Sequence, residues 1–184
     1  HWALELKLLD SEGNRLPEDG VAAGDLWVRG LCVLQDYHQH SASAQDSDGW
    51  FSTGDIGTID PDGYLRLTDR SKDLIKSGGE WISSILLEHI ACEHPAVHDA
   101  AVIGVYHSKW DERPVLVVEL NPDQRLSEAE MLLVFKDRVA RWQIPDRVFF
   151  VDELPLGSTG KALKRQLREQ FFNCLEATEV SDEE

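Results

Sequence analysis

Basic residues are scarce in this chain. Eighteen Lys and Arg stand against 34 Asp and Glu over 184 residues, a formal charge of −16. A duplex-binding face needs a surplus of Lys and Arg to displace counterions, so the balance excludes the simplest nucleic-acid partner. It argues against an anionic membrane surface for the same reason. One small anion is still allowed, because a local site can be basic on an acidic molecule. Cysteine is scarce too. Cys32, Cys92 and Cys174 are far apart and odd in number, so they form neither a disulfide framework nor a C-x-x-C zinc spacing, and they read as reduced thiols of a cytoplasmic protein. No stretch reaches the ~18 apolar residues of a membrane span. The opening HWALELKLLD has no basic-then-apolar signal pattern. It starts in a strand-like run without Met, and the expectation is a piece of a longer protein. No internal repeat is visible.

What is present divides near residue 70. Residues 1–70 read as short strands and turns: Ala3–Asp10, Asp25–Gly30, Trp50–Ile59 and Tyr64–Arg70. Asp60-Pro61-Asp62-Gly63 is a strong turn, because Pro presets φ and Gly accepts positive φ. Strands at this spacing suggest a small barrel-like unit. The polar stretch His38–Asp48 reads as a loop, and its two histidines lack a third ligand nearby.

Beyond Arg70 the period changes. Ser83–His94 reads as a Ser-capped helix with Ile85, Leu86, His89 and Ile90 at helical spacing. Ala100–Tyr106 and Pro114–Leu120 read as buried strands, and Arg147–Val151 as a third. Leu126–Trp142 reads as a long helix opened by a capping box, Ser127 with Glu130. Lys161–Phe172 reads as the last helix, with Leu163, Leu167 and Phe171 on one face. The expected class is α+β: the barrel-like unit, then a compact domain over 71–175 with a mostly three-stranded central sheet flanked by helices. Residues 176–184 read as an acidic tail.

Three clusters can carry chemistry. In Ser52-Thr53-Gly54-Asp55, a short carboxylate at a strand–turn junction can face two adjacent hydroxyls, or simply satisfy turn amides. Asp69-Arg70-Ser71-Lys72-Asp73 runs through Leu74-Ile75 into Lys76-Ser77-Gly78-Gly79-Glu80, where two glycines permit positive φ or close approach. The plain alternative is a solvated linker. Pro155 to Lys161 looks like a phosphate loop, but Gly157 and Gly160 are too close together and Ala162 replaces the Ser or Thr after the lysine. What remains is a loop, with Thr159 as a cap, offering one ammonium at a helix start. That placement opposes the helix dipole and hints at an anion there.

Taken together the clusters resemble the C-terminal third of the adenylate-forming enzymes: acyl- and aryl-CoA synthetases, peptide-synthetase adenylation domains and luciferases. Gly49-Trp50-Phe51-Ser52-Thr53-Gly54-Asp55 resembles that superfamily's GW-x-x-TGD motif. Tyr64 with Asp69–Asp73 and Lys76–Glu80 resembles GY…DR-x-KD-x-IK-x-GG, and Leu154-Pro155 through Gly160-Lys161 resembles LP-x-x-x-x-GK. Gly78–Ser84 and Lys109–Pro114 look most like the medium- and long-chain fatty-acyl-CoA ligases.

The resemblance implies an ATP-dependent ligase that turns a fatty acid into an acyl-adenylate and then an acyl-CoA thioester. Asp55 and Arg70 would contact the adenylate ribose, Lys72 would be the hinge, and Lys161 would act in adenylation. Lys76, Gly78, Gly79 and Glu80 would belong to the CoA tunnel and the thioester step. ATP and CoA are implied as substrates and Mg²⁺ is expected, although no ligand for a metal is identifiable. A homodimer is compatible with exposed strand edges. No phosphate loop or acyl pocket is recognisable here, so the chain alone is expected to be inactive. Other adenylate formers (aryl-acid, amino-acid or luciferase-like) and a non-catalytic binding module are the competing expectations.

Overall fold

The computed structural model describes residues 3–37 and 43–175. The histidine pair at 38 and 40 and the tail 176–184 lie outside them. The chain forms two compact units, His1–Lys72 and Asp73–Glu184.

The first unit is an antiparallel meander of four strands in chain order: β1 (Leu4–Leu9), β2 (Gly24–Gly30), β3 (Phe51–Ile59) and β4 (Leu65–Arg70). Leu8, Leu26 and Ile59 form its small core, packed by Leu6, Leu16 and Val28. The β3–β4 turn closes as its sequence requires. Asp60 Oδ1 accepts the Asp62 and Tyr64 amides at 3.0 and 2.9 Å, and Gly63 takes φ +84°. The described strands make an open sheet rather than a closed barrel, because β1 and β4 sit at opposite ends of the order.

The second unit is built on β7 (Val97–His107) and β8 (Asp111–Leu120), antiparallel along their whole length. On the other side of β8, β9 (Arg147–Val151) runs parallel to it from Val115 to Glu119. A short hairpin, β5 (Ile75–Ser77) and β6 (Glu80–Ile82), joins through Ser77 opposite Asp111. These three longer strands are the central sheet foreseen in the sequence, and the hairpin enlarges it to five.

The middles of β7 and β8, Ala100–Val105 and Pro114–Val118, are apolar because both faces of the sheet are covered there. Val102, Leu116 and Val118 pack with Leu87 and Ile90 of α1 (Ser84–Cys92) and Met131 of α2 (Glu128–Leu133). Ala101, Ile103, Val115 and Val117 pack with Leu167 of α3 (Lys164–Phe171).

Three helical expectations need correction. In α1 the inward face is Ser84, Leu87, Ile90 and Ala91, while Ile85 and Leu86 are exposed. The long helix over 126–142 stops at Leu133. Phe135 is drawn wholly into the core, the chain continues with i→i+3 bonds, and Asp137 at φ +63° breaks the helical path. The last helix starts at Lys164, not Lys161, because Ala162 pairs with Leu156 as a bridge and holds the preceding residues extended.

Candidate functional site

In the first unit, the hairpin register brings together two residues fifteen apart in sequence. Asp55 on β3 lies opposite Arg70 on β4, and Arg70 Nε is 2.9 Å from Asp55 Oδ1. Gly54, at φ +71° with open space around it, bends β3 just before Asp55, midway along the strand. The Asp55 amide donates to Thr53 Oγ1 at 3.1 Å, and that hydroxyl donates to the Leu26 carbonyl at 3.0 Å. Arg70 remains exposed and Asp55 partly so. A carboxylate with one oxygen paired to a guanidinium keeps acceptor capacity for a diol, and the guanidinium keeps donors for the same group. Lys72 ends this unit and is exposed.

In the second unit, Gly78 and Gly79 form the turn of the β5–β6 hairpin, at φ +59° and +88°. Two successive positive φ values define a two-residue type I′ turn, whose twist matches the strands it joins. The Gly78 amide donates to the Trp110 carbonyl at 2.8 Å, and a Cβ there would lie 2.9 Å from the Trp110 ring. Lys76 and Glu80 flank the turn with exposed side chains. Ser77, Gly78, Glu80, Trp110, Arg113, Arg141, Trp142 and Asp146 line a depression of about 690 Å³. Exposed indoles beside Arg141 can stack on a flat aromatic ring and meet negative charge.

Lys161 lies on a tight exposed loop. Gly157 N donates to the Lys161 carbonyl at 2.8 Å, Gly160 N to the Gly157 carbonyl at 3.0 Å, and Gly160 has φ +74°. Among the described residues the Lys161 ammonium makes no ion pair or hydrogen bond. It stands three residues before α3, so the dipole of that helix is not its direct neighbour, contrary to the sequence expectation. Thr159 caps nothing, since Leu163 holds the N-cap position without a side-chain bond.

Residues 86–161 match the family described as AMP-binding enzyme C-terminal domain. That stretch, from α1 to the lysine loop, carries the likeness to this family. Over 174 residues it is 56% identical to 3-methylmercaptopropionyl-CoA ligase of Ruegeria lacuscaerulensis and 52% identical to medium-chain fatty-acid–CoA ligase of Ectopseudomonas oleovorans. Each match takes in 95% of this chain and 32% of the relative, so the chain spans about a third of the length of these relatives. Among solved structures, ATP-bound MatB from Rhodopseudomonas palustris superposes with a TM-score of 0.83 at 31% identity, covering 94% of this chain and 35% of that one. The o-succinylbenzoate CoA synthetase of Bacillus subtilis, solved with its acyl-adenylate, gives 0.81 at 34% identity, covering 91% and 34%.

Several residues in and around these motifs received no role of their own in the sequence analysis. Trp50 of the first motif is buried under two cations: Lys7 Nζ is 4.3 Å and Arg29 Cζ 4.6 Å from its ring. Asp46 Oδ1 accepts the Trp50 amide at 2.9 Å, and that bond, more than the one from Asp48, holds its carboxyl below the ordinary aspartate value. Arg113 is the floor of the depression. It forks onto Asp146 (2.6 and 3.0 Å) and donates to Ser77 Oγ and to the carbonyls of Trp142 and Ile144. One buried guanidinium thus ties the glycine hairpin to the loop that carries Arg141 and Trp142. A lone Arg between acidic residues and a Pro carries no periodic signal, which is why sequence reasoning passed over it as a contact.

Proposed function

We propose that this chain is the C-terminal part of an ATP-dependent acyl-CoA ligase. A fatty or related carboxylate attacks the α-phosphorus of ATP, the bond to pyrophosphate breaks, and an acyl-adenylate forms. The CoA sulfur then attacks the acyl carbonyl, the bond to AMP breaks, and acyl-CoA is released. Asp55 and Arg70 hold the ribose hydroxyls. Lys161 sits between carboxylate and α-phosphate during adenylation, offsetting repulsion between two anions and the charge gathering at phosphorus. Lys72 is the hinge between the two steps, and in the second Lys76, Gly78, Gly79 and Glu80 line the path of the CoA arm. The depression beside them suits the flat, anionic nucleotide end of CoA.

Mg²⁺ would arrive with ATP. No group of three or more His, Cys, Asp or Glu among the described residues is placed to hold a metal, so none of these roles is routed through one. A cytoplasmic homodimer completes the proposal. No described helix is long and apolar enough to cross a membrane, and the open sheet leaves strand edges.

The observation that carries this proposal is the Lys161 ammonium on its exposed loop, unpaired among the described residues. Replacing Lys161 by Ala in the full-length protein is expected to lower acyl-AMP formation by on the order of 10²–10³, the value of one well-placed charge stabiliser. Thioester formation from pre-made acyl-AMP should be largely spared. Equal loss in both steps would overturn the assignment, and no loss in either would favour a non-catalytic module. The likeness to o-succinylbenzoate CoA synthetase keeps aryl acids as a second substrate class. A panel of alkyl and aryl acids assayed with the full-length protein separates the two.

A further inference from the structure

Lys164 is three residues past Lys161 and is the first residue of α3. A cation in the first turn opposes the helix dipole, and this one is also withdrawn from water, with only 13% of its side chain exposed. Both penalties are met by one arrangement. Lys164 Nζ lies 2.7 Å from Glu88 Oε1 and 2.7 Å from Ser84 Oγ. Ser84 is fully buried at the first turn of α1, and Glu88 follows one turn later.

The same Glu88 oxygen accepts the Val102 amide at 2.8 Å. Val102 belongs to β7, which stands at the end of the strand order. α1 packs in the core cluster on one face of this sheet and α3 in the cluster on the other. Lys164 and Glu88 therefore clasp the two helices around the free edge of β7.

The clasp has a direct bearing on the Lys161 loop. One stem of that loop is fixed at Leu154, which is buried and donates its amide to Glu119 Oε2 at 2.8 Å. Between Gly157 and Lys161 the contacts are turns of the loop's own backbone. The second stem is joined to the first by the Leu156–Ala162 bridge and by the Leu163 amide on the Pro155 carbonyl at 2.7 Å, and its first charged anchor to the rest of the unit is Lys164. The glycine hairpin has separate anchors: Gly78 on the Trp110 carbonyl, and Ser77 on Arg113.

We propose that Lys164, through Glu88 and Ser84, is a positioning residue that sets where the Lys161 ammonium is delivered, and so governs adenylation without governing thioester formation. The proposal rests on the ligase function argued above. A merely structural ion pair would instead affect both half-reactions alike.

The test uses the full-length protein. Lys164→Met keeps the stem and removes the charge, but it strands a partly buried carboxylate. The paired variant Lys164→Met with Glu88→Gln removes both charges and leaves an acceptor for Val102. In that variant kcat for acyl-AMP formation should fall about 10- to 100-fold, the cost of a misplacement near 1 Å. KM for ATP and acid, and thioester formation from pre-made acyl-AMP, should stay within about threefold of the parent. Unchanged adenylation, a parallel fall in both half-reactions, or failure of both variants to fold would each overturn the proposal. Lys161→Ala run alongside separates the two claims. If it abolishes adenylation while the paired variant does not, the ligase function stands and the clasp fails. If it leaves adenylation intact, the role given to Lys161 is itself wrong.

Discussion

Gly78 and Gly79 are neighbours in one turn yet impose different requirements. Both have positive φ, so a Cβ at either costs about 1–2 kcal/mol in backbone strain. At Gly79 the space is open, whereas at Gly78 a Cβ would lie 2.9 Å from the Trp110 ring. Gly79→Ala should therefore lower stability by about 1–2 kcal/mol, and Gly78→Ala by more, with displacement of Trp110. Urea midpoints, with indole fluorescence as the local reporter, check the order. The Gly-Gly pair in the sequence already announced positive φ or close approach. Which glycine served which purpose depended on Trp110, which lies 32 positions beyond Gly78 and reaches it only through the β5–β8 contact.

At the scale of elements, α2 shows a local signal acting as expected while its extent is set elsewhere. Ser127 Oγ accepts the Glu130 amide at 3.3 Å, and Glu130 Oε2 accepts the Ser127 amide at 2.9 Å. Losing the cap in Ser127→Ala should cost about 1 kcal/mol. The Glu130 carboxyl is held below the ordinary glutamate value, first by the Ser127 hydroxyl and then by the Ser127 amide. A depressed carboxyl contributes stability that is complete above its unfolded value and is lost as pH falls through the folded one. The stability difference between parent and Ser127→Ala should therefore shrink on acidification across that range, as urea melts at successive pH values would record. The capping box was legible because it is a four-residue pattern. The helix's early end was not, since it follows from burial of Phe135 against strands distant in sequence. The start of α3 was displaced by a different contact, the bridge from Leu156 to Ala162, which outweighed good helix formers.

On the scale of the whole molecule, the three motifs fall on two separate units, with the Asp55–Arg70 pair on one and the glycine hairpin and lysine loop on the other. The sequence shows no recognisable acyl pocket or phosphate loop, and the chain spans about a third of its relatives' length, so the purified 184-residue chain is expected to form no acyl-CoA from acid, ATP and CoA. Detectable thioester formation by it would overturn the proposal that this chain is only the C-terminal part of a ligase. The sequence by itself determined the α+β class, the strands and turns of the first unit, and the three motifs, because alternation, Asp-Pro-Asp-Gly and Gly-Gly act over a few residues. Tertiary structure alone decided that Asp55 meets Arg70 across a strand pair, that Arg113 floors the depression, and that Lys164 closes on Glu88 at the edge of β7. Those contacts join residues that only pairing and packing bring within reach, and buried charge is tolerated only where that packing has already supplied its partner.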